Sequence, residues 1–197
     1  MSFLMKLIGR KQKEKFKVLI VGPSGSGKTT AREYFRTGQP VENHLVSTVG
    51  TGYTHKPLDI GNWSFEIVEV GGQKEYIESY GVNLISKYRG IVYLVDSTIS
   101  PSDQEKYENA IWTFKKLSEG FRKWIPIVIF YNKKDLPESL SKNDLQKYYL
   151  ESFKDDFMLR EVTHYYFETS AKKGDGLKDA MTWLFNEMER LYDQFEN

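Results

Sequence analysis

Residues 16–30 read FKVLIVGPSGSGKTT. Val18, Leu19, Ile20 and Val21 form an apolar, largely β-branched run that stops at Gly22, the pattern of a buried strand entering a turn. From there the spacing Gly22-x-x-x-x-Gly27-Lys28-Thr29 satisfies G-x-x-x-x-G-K-[ST], a loop that wraps phosphate groups. Glycines at 22, 25 and 27 let the backbone turn tightly and press its N–H groups against phosphate oxygens. A helix beginning near Lys28 points its positive dipole end at the same anion. Ser24, Gly25, Ser26, Gly27, Lys28, Thr29 and Thr30 are therefore the candidate phosphate contacts. Lys28 is suited to the β- and γ-phosphates, and the Thr29 hydroxyl to Mg²⁺. A Gly/Ser-rich turn ending in Lys-Thr by chance would need neither the strand before it nor the helix-compatible Ala31-Arg32-Glu33-Tyr34-Phe35 run after it.

With 197 residues the chain is sized for one domain with a full core. No apolar run approaches the roughly 18 residues of a membrane span. The absence of cysteine excludes disulfides, thiolate zinc sites, cysteine nucleophiles, prenylation and palmitoylation, and fits a cytoplasmic protein. Net charge is only +1, but it is unevenly placed. Residues 1–17 carry Lys6, Arg10, Lys11, Lys13, Lys15 and Lys17 against Glu14, which leaves the remainder net acidic. In that arm Phe3, Leu4, Leu7 and Ile8 group on one side of a helix, with Lys6, Arg10 and Lys13 on the other. A short basic amphipathic helix suits an anionic membrane surface; nothing in the charge balance calls for nucleic acid.

Beyond the first helix, which the sequence extends to about Arg36, residues 37–52 read as a long loop. Segments near 53–59 and 63–70 read as strands joined at Ile60-Gly61-Asn62. Residues after Gly71-Gly72-Gln73 read as a second mobile stretch. The pattern then alternates: a strand at 91–96, a helix at 102–119 with Ser102 and Glu105 as a capping box, and a strand at 125–132. A helix near 141–152 begins at Ser141 and Asp144, 163–168 is strand-like, and a helix from about Gly176 carries a core-facing stripe from Leu177 to Phe195. Unbroken apolar strands separated by helices predict an α/β fold: a mostly parallel six-stranded sheet, helices on both faces, and one antiparallel edge strand. Ligands in such folds sit at the carboxyl ends of the strands.

Two further strings fall at those ends. In Asn132-Lys133-Lys134-Asp135 the carboxylate can accept hydrogen bonds from guanine N1–H and the 2-amino group, donors that adenine lacks there. Asn132 can tie this loop to the phosphate loop, and the Lys133 stem can cover the purine. In Thr169-Ser170-Ala171-Lys172, backbone N–H groups at Ser170 and Ala171 can meet guanine O6, with Lys172 over the opposite face.

Together these strings resemble the small GTPases of the Ras superfamily, and most closely the Arf/Arl/Sar branch. Val70-Gly71-Gly72-Gln73, Val95-Asp96-Ser97, Asn132-Lys133-x-Asp135-Leu136-Pro137 and Gly174-Asp175-Gly176-Leu177 carry the branch resemblance, together with the basic arm. Ser170-Ala171-Lys172 is closer to the Ras/Rab form. The resemblance implies a P-loop NTPase fold, with residues 1–15 as the arm and 16–197 as the GTP-binding domain. It also implies bound GTP or GDP with Mg²⁺, a monomer, and an exchange factor, a GTPase-activating protein and effectors as partners. Thr48 would be the switch threonine that ligates Mg²⁺ (Thr51 stands close by), the Gly72 N–H would sense the γ-phosphate, and Gln73 would orient the attacking water. Hydrolysis to GDP would be slow without an activating protein, and attachment to the cytoplasmic face of a membrane reversible.

Three departures stand out. Where the family has an aspartate, this chain has Glu69, whose extra methylene bears on how a Mg²⁺ ion or its water is held. Ser2 in place of glycine excludes N-myristoylation. Lys74–Arg89 differs from the usual Arf sequence and includes Gly81. The string GPSGSGKT also suits nucleotide kinases and ABC-type ATPases. A kinase needs an arginine-bearing lid that is not seen, and an ABC domain needs a signature helix, whereas Gly71-Gly72-Gln73 follows a strand. A GTP-binding scaffold without hydrolysis, such as a membrane-receptor subunit, is the remaining alternative, and Glu69 is its support.

Overall fold

The computed structural model describes residues 14–42, 45, 50–53, 57–60 and 63–196. The arm before Glu14, Thr48 and the Gly61-Asn62 pair lie outside the described residues. Strand β1 (Glu14–Val21) leads through the phosphate loop into helix α1 (Lys28–Thr37). The strands β2 (Thr51–Tyr53), β3 (Leu58–Ile60) and β4 (Trp63–Val70) follow, then helix α2 (Lys74–Ile85). Next come β5 (Gly90–Asp96), α3 (Gln104–Ser118) and β6 (Ile127–Asn132). A continuous helical stretch comprises α4 (Lys142–Leu145), a π-helical turn (Gln146–Leu150) and α5 (Glu151–Arg160). The chain ends with β7 (His164–Glu168) and α6 (Leu177–Glu196).

The sheet runs β2-β4-β1-β5-β6-β7, with β3 also on β4. Strands β4, β1, β5, β6 and β7 are mutually parallel, and β2 and β3 pair antiparallel with β4. The expected six-position sheet with one antiparallel edge is therefore present, its edge split into two short pieces. Across the hairpin Ile60 pairs with Trp63.

The unbroken apolar strands divide residue by residue between two cores. Leu19, Val21, Ile91, Tyr93, Val95, Ile127, Ile129 and Tyr131 face one side, where Ile77 and Ile85 of α2, Phe114 and Leu117 of α3, and Phe153 and Phe157 of α5 cover them. Val18, Ile20, Val92, Leu94, Val128 and Phe130 face the other, against Ala31 of α1 and Leu177, Ala180, Met181, Leu184, Phe185 and Met188 of α6. Alternate side chains of a strand point to opposite faces, so a sheet covered on both sides needs apolar residues at every position.

Helix α2 replaces the mobile stretch expected after Gln73. Its buried side is narrow, Ile77, Gly81 and Ile85, and glycine weakens a helix by about 1 kcal/mol relative to alanine. The compensation is packing: a Cβ at Gly81 would stand 3.2 Å from Leu117 Cδ2 of α3. The capping box at Ser102 and Glu105 does not form. Helix α3 starts at Gln104 after Asp103, with no side-chain cap, while the Ser102 hydroxyl lies 2.6 Å from that of Ser100. Ser141 does cap α4, its hydroxyl accepting from the Asp144 N–H at 3.2 Å, and the helical stretch then runs on to Arg160 through the π turn.

Phe114 centres the aromatic core, stacked on Phe153 at 3.7 Å between centroids and edge-on to Tyr93, Phe121 and Phe157. Phe114→Ala is expected to cost about 3–5 kcal/mol in urea unfolding, against about 0.5 kcal/mol or less for Tyr80→Ala, since Tyr80 is 59% exposed.

Candidate functional site

The carboxyl ends of β1, β4, β6 and β7 meet around a cavity of about 460 Å³, within the range of small-molecule sites. It is lined by Ser24, Gly25, Gly27, Lys28, Thr29, Thr30, Glu69, Gly72, Gln73, Asn132, Lys133, Asp135, Ala171 and Lys172. Fourteen sequence-predicted site residues thus converge from four separate segments of the chain. Ser26 and Ser170 do not line it and act from behind.

The phosphate loop leaves β1 at Val21 and enters α1 through Gly27, whose φ of 97° is left-handed. The Gly27 carbonyl accepts from Ala31 N at 2.9 Å, which starts the helix ladder and leaves the first-turn N–H groups facing the cavity end. Lys28 is buried, and its ammonium donates to the Pro23 carbonyl at 2.8 Å across the loop. Burial pushes the Lys28 ammonium down to about 8, with the negative charge of Glu69 opposing the shift. Gly72 closes over the same loop: a Cβ there would stand 2.5 Å from Gly22 O and 2.6 Å from Lys28 Nζ. No other residue type fits that approach. Gln73 follows as the N-terminal flank of α2, its carbonyl accepting from Tyr76 N and Ile77 N, both at 3.1 Å.

Asn132, 2% exposed, joins the two ends of the cavity. Its Nδ2 donates to Ser26 O at 2.8 Å, and its Oδ1 accepts from Ala171 N at 2.8 Å. The Ser170 hydroxyl donates to Asp135 Oδ1 at 2.7 Å and accepts from Lys173 N at 3.1 Å, which fixes the carboxylate against the β7 turn. Lys133 has a left-handed φ of 70°, and its ammonium pairs with Asp96 Oδ2 at 2.6 Å. The remaining Asp96 oxygen accepts from Thr98 N and the Thr98 hydroxyl. The Ser26 hydroxyl is buried without a hydrogen-bond partner among the described residues.

At the metal end, the Thr29 hydroxyl donates to Glu69 Oε1 at 2.6 Å, and Arg32 Nη1 lies 3.1 Å from Glu69 Oε2. Among the described residues no group of three or more His, Cys, Asp or Glu could form a metal cage. That donor set fits Mg²⁺, which is held by one or two protein oxygens together with substrate phosphates rather than by a protein cage. Thr29 offers a hydroxyl oxygen there, with Glu69 behind it.

Several contributors were given no site role by the sequence. Arg32 sits one turn after Thr29, a spacing that places both on one helix side. Asp96 ends β5 in register with Asn132, a polar residue closing an apolar strand at the ligand end. Val41, Glu42, Leu45 and Leu136 line the cavity as well, and Val41 N donates to Lys172 O at 2.8 Å, bringing the chain after α1 to the turn that follows β7. No local signal marks Val41.

A phosphate loop on a buried lysine, a glycine pressed onto it, and a carboxylate turn tied to it by one asparagine form a single nucleotide-sized site. Residues 1–188 match the profile of the ADP-ribosylation factor family. The chain belongs to that family, and is a small GTP-binding switch protein of the Arf branch of the Ras superfamily.

Proposed function

We propose that the chain binds and slowly hydrolyses GTP at this site, and alternates between two states of the segments that flank it. The observation that carries the reading is the Asn132 bridge. Because its amide holds both Ser26 O and Ala171 N, base and phosphate recognition are parts of one rigid site. In this reading Ser24–Thr30 and Lys28 cradle the phosphates, Asp135 reads the guanine N1–H and 2-amino edge, and the Ser170–Ala171 turn meets O6. Lys133 and Lys172 cover the ring faces. Thr29 would hold Mg²⁺, with Thr48 as the switch ligand and Glu69 behind Thr29; the ion would neutralise charge between the β- and γ-phosphates. Gln73 orients the attacking water and the Gly72 N–H contacts the γ-phosphate. Loss of that phosphate releases the flanking loops. Without an arginine such sites turn over at about 10⁻⁴ to 10⁻³ per second, so an activating protein is part of the proposal, as are an exchange factor and effectors.

The arm at residues 1–15 would attach the protein reversibly to an anionic cytoplasmic membrane surface. Its apolar and basic residues support this. Among the described residues no helix is long and apolar enough to cross a membrane. In this reading each basic residue of the arm contributes about 1 kcal/mol near anionic lipid.

Phosphate binding favours charged Lys28, whose ammonium burial holds near 8. Nucleotide binding therefore takes up a proton above that pH, and GDP affinity is expected to fall towards tenfold per pH unit above about 8. Calorimetric titration between pH 7 and 9.5 reads this directly; a flat profile would remove Lys28 from the phosphate contacts. Single-turnover phosphate release in Mg²⁺ buffer should slow by at least tenfold in Gln73→Leu. Equal, near-zero rates for both proteins would favour the non-hydrolysing scaffold. Co-sedimentation with anionic liposomes is expected to require residues 1–15, to weaken with salt, and to be stronger with a GTP analogue than with GDP. Equal binding with both nucleotides would uncouple the arm from the switch.

A further inference from the structure

Glu69 occupies the penultimate position of β4 and is 1% exposed. Its two carboxylate oxygens have different partners on α1. Oε1 accepts the Thr29 hydroxyl proton at 2.6 Å, and Oε2 faces Arg32 Nη1 at 3.1 Å. The route of the guanidinium is built into β2. Gly52 stands opposite Glu69 in the antiparallel ladder, and a Cβ at residue 52 would lie 1.7 Å from Arg32 Nη1 and 2.9 Å from its Cζ. Gly52 is thus the opening in the edge strand over which Arg32 reaches a carboxylate buried on the neighbouring strand.

The three residues form one device with a chemical purpose. A hydroxyl that donates its proton to a carboxylate keeps its lone pairs for a cation. Partners of this kind orient metal ligands and raise their basicity. A glutamate has one more rotatable bond than an aspartate, so it needs an anchor to hold the same acceptor position. Burying its charge also requires a counter-charge. Arg32 supplies both from the helix that carries Thr29.

We propose that Arg32 is a positioning residue of the Mg²⁺ site: through its ion pair it anchors the Glu69 side chain so that Oε1 stays on the Thr29 hydroxyl, and so sets the Mg²⁺ dependence of nucleotide retention. This rests on the reading of the site as a Mg²⁺–guanine nucleotide site. Glu69, Arg32 and Gly52 then form a matched set, in which the longer acid works because the arginine is present and the arginine fits because residue 52 has no side chain.

The test is the release rate of a fluorescent GDP from the full chain across a series of free Mg²⁺ concentrations and in EDTA. Arg32→Gln is expected to raise the Mg²⁺ concentration needed for slow release by about tenfold, the lower end of the range for outer partners of metal ligands. Release in EDTA stays within about twofold, because a metal-positioning role acts only on the Mg²⁺-bound form. Arg32→Lys gives an intermediate value. Gly52→Ala leaves Arg32 in the chain but displaces its guanidinium, and shifts the midpoint the same way. In a Glu69→Asp background, Arg32→Gln moves the midpoint by less than about twofold, since the shorter acid is no longer anchored through the arginine. An unchanged midpoint in Arg32→Gln and Gly52→Ala overturns the proposal. So does an equal shift in the Glu69→Asp background, or a change in EDTA as large as that in Mg²⁺. A wild-type chain that retains no guanine nucleotide overturns the nucleotide reading itself, an outcome distinct from failure of the Arg32 role.

Discussion

One buried amide holds the site together. Asn132 ends β6 and, from there, donates to the carbonyl of Ser26 in the phosphate loop and accepts from the N–H of Ala171 after β7. The three segments are more than a hundred residues apart at their extremes, and no helix or strand ladder links the phosphate loop to the turn after β7. Each such bond contributes about 0.5–1.5 kcal/mol net, but leaving a buried partner unpaired costs more. The amide therefore acts chiefly as a constraint: neither loop can move away without exposing or orphaning a polar group. Ser170 extends the constraint by holding Asp135, so that carboxylate is placed by the same turn that Asn132 grips.

The phosphate end shows a different economy. Lys28 is nearly removed from water, which destabilises its charge, yet it is kept at the mouth of a helix where an anion is favoured. Unfavourable burial of this kind is common at functional sites, where the ligand supplies what the fold does not. The approach of Gly72 to Lys28 and Gly22 brings the end of β4 onto the loop, beside the segment that continues into Gln73 and α2. Helix α2 in turn packs on α3 through Gly81 and Leu117.

Much of this was legible in the chain itself. The runs at 18–21, 91–95 and 127–131 are apolar at every position because both faces are covered, and that pattern alone implies a parallel sheet between helices. The phosphate loop, the Asn132–Asp135 turn and the Thr169–Lys172 turn were readable because their chemistry depends on residue types at fixed local spacing. What failed was equally local. The Ser102–Glu105 capping box matched in spacing but does not form: α3 starts at Gln104 without a side-chain cap, and the Ser102 hydroxyl pairs with that of Ser100. Helix α2 was missed because its buried stripe is narrow and interrupted by a glycine whose value lies in a neighbouring helix.

The chain alone therefore determined the class of fold, the phosphate loop and the turns at Asn132–Asp135 and Thr169–Lys172, since each is written in contiguous residues whose local chemistry needs no distant partner. Only the tertiary structure decided what Glu69 does. As a sequence feature it is a departure of one methylene that bears on the metal site without saying which side chains it meets. In space its two oxygens go to Thr29 and Arg32, and the arginine reaches it over Gly52. Those contacts join a helix, an edge strand and its neighbour across non-adjacent segments, and pairing of that kind is set by the register of β2 on β4, not by any local pattern.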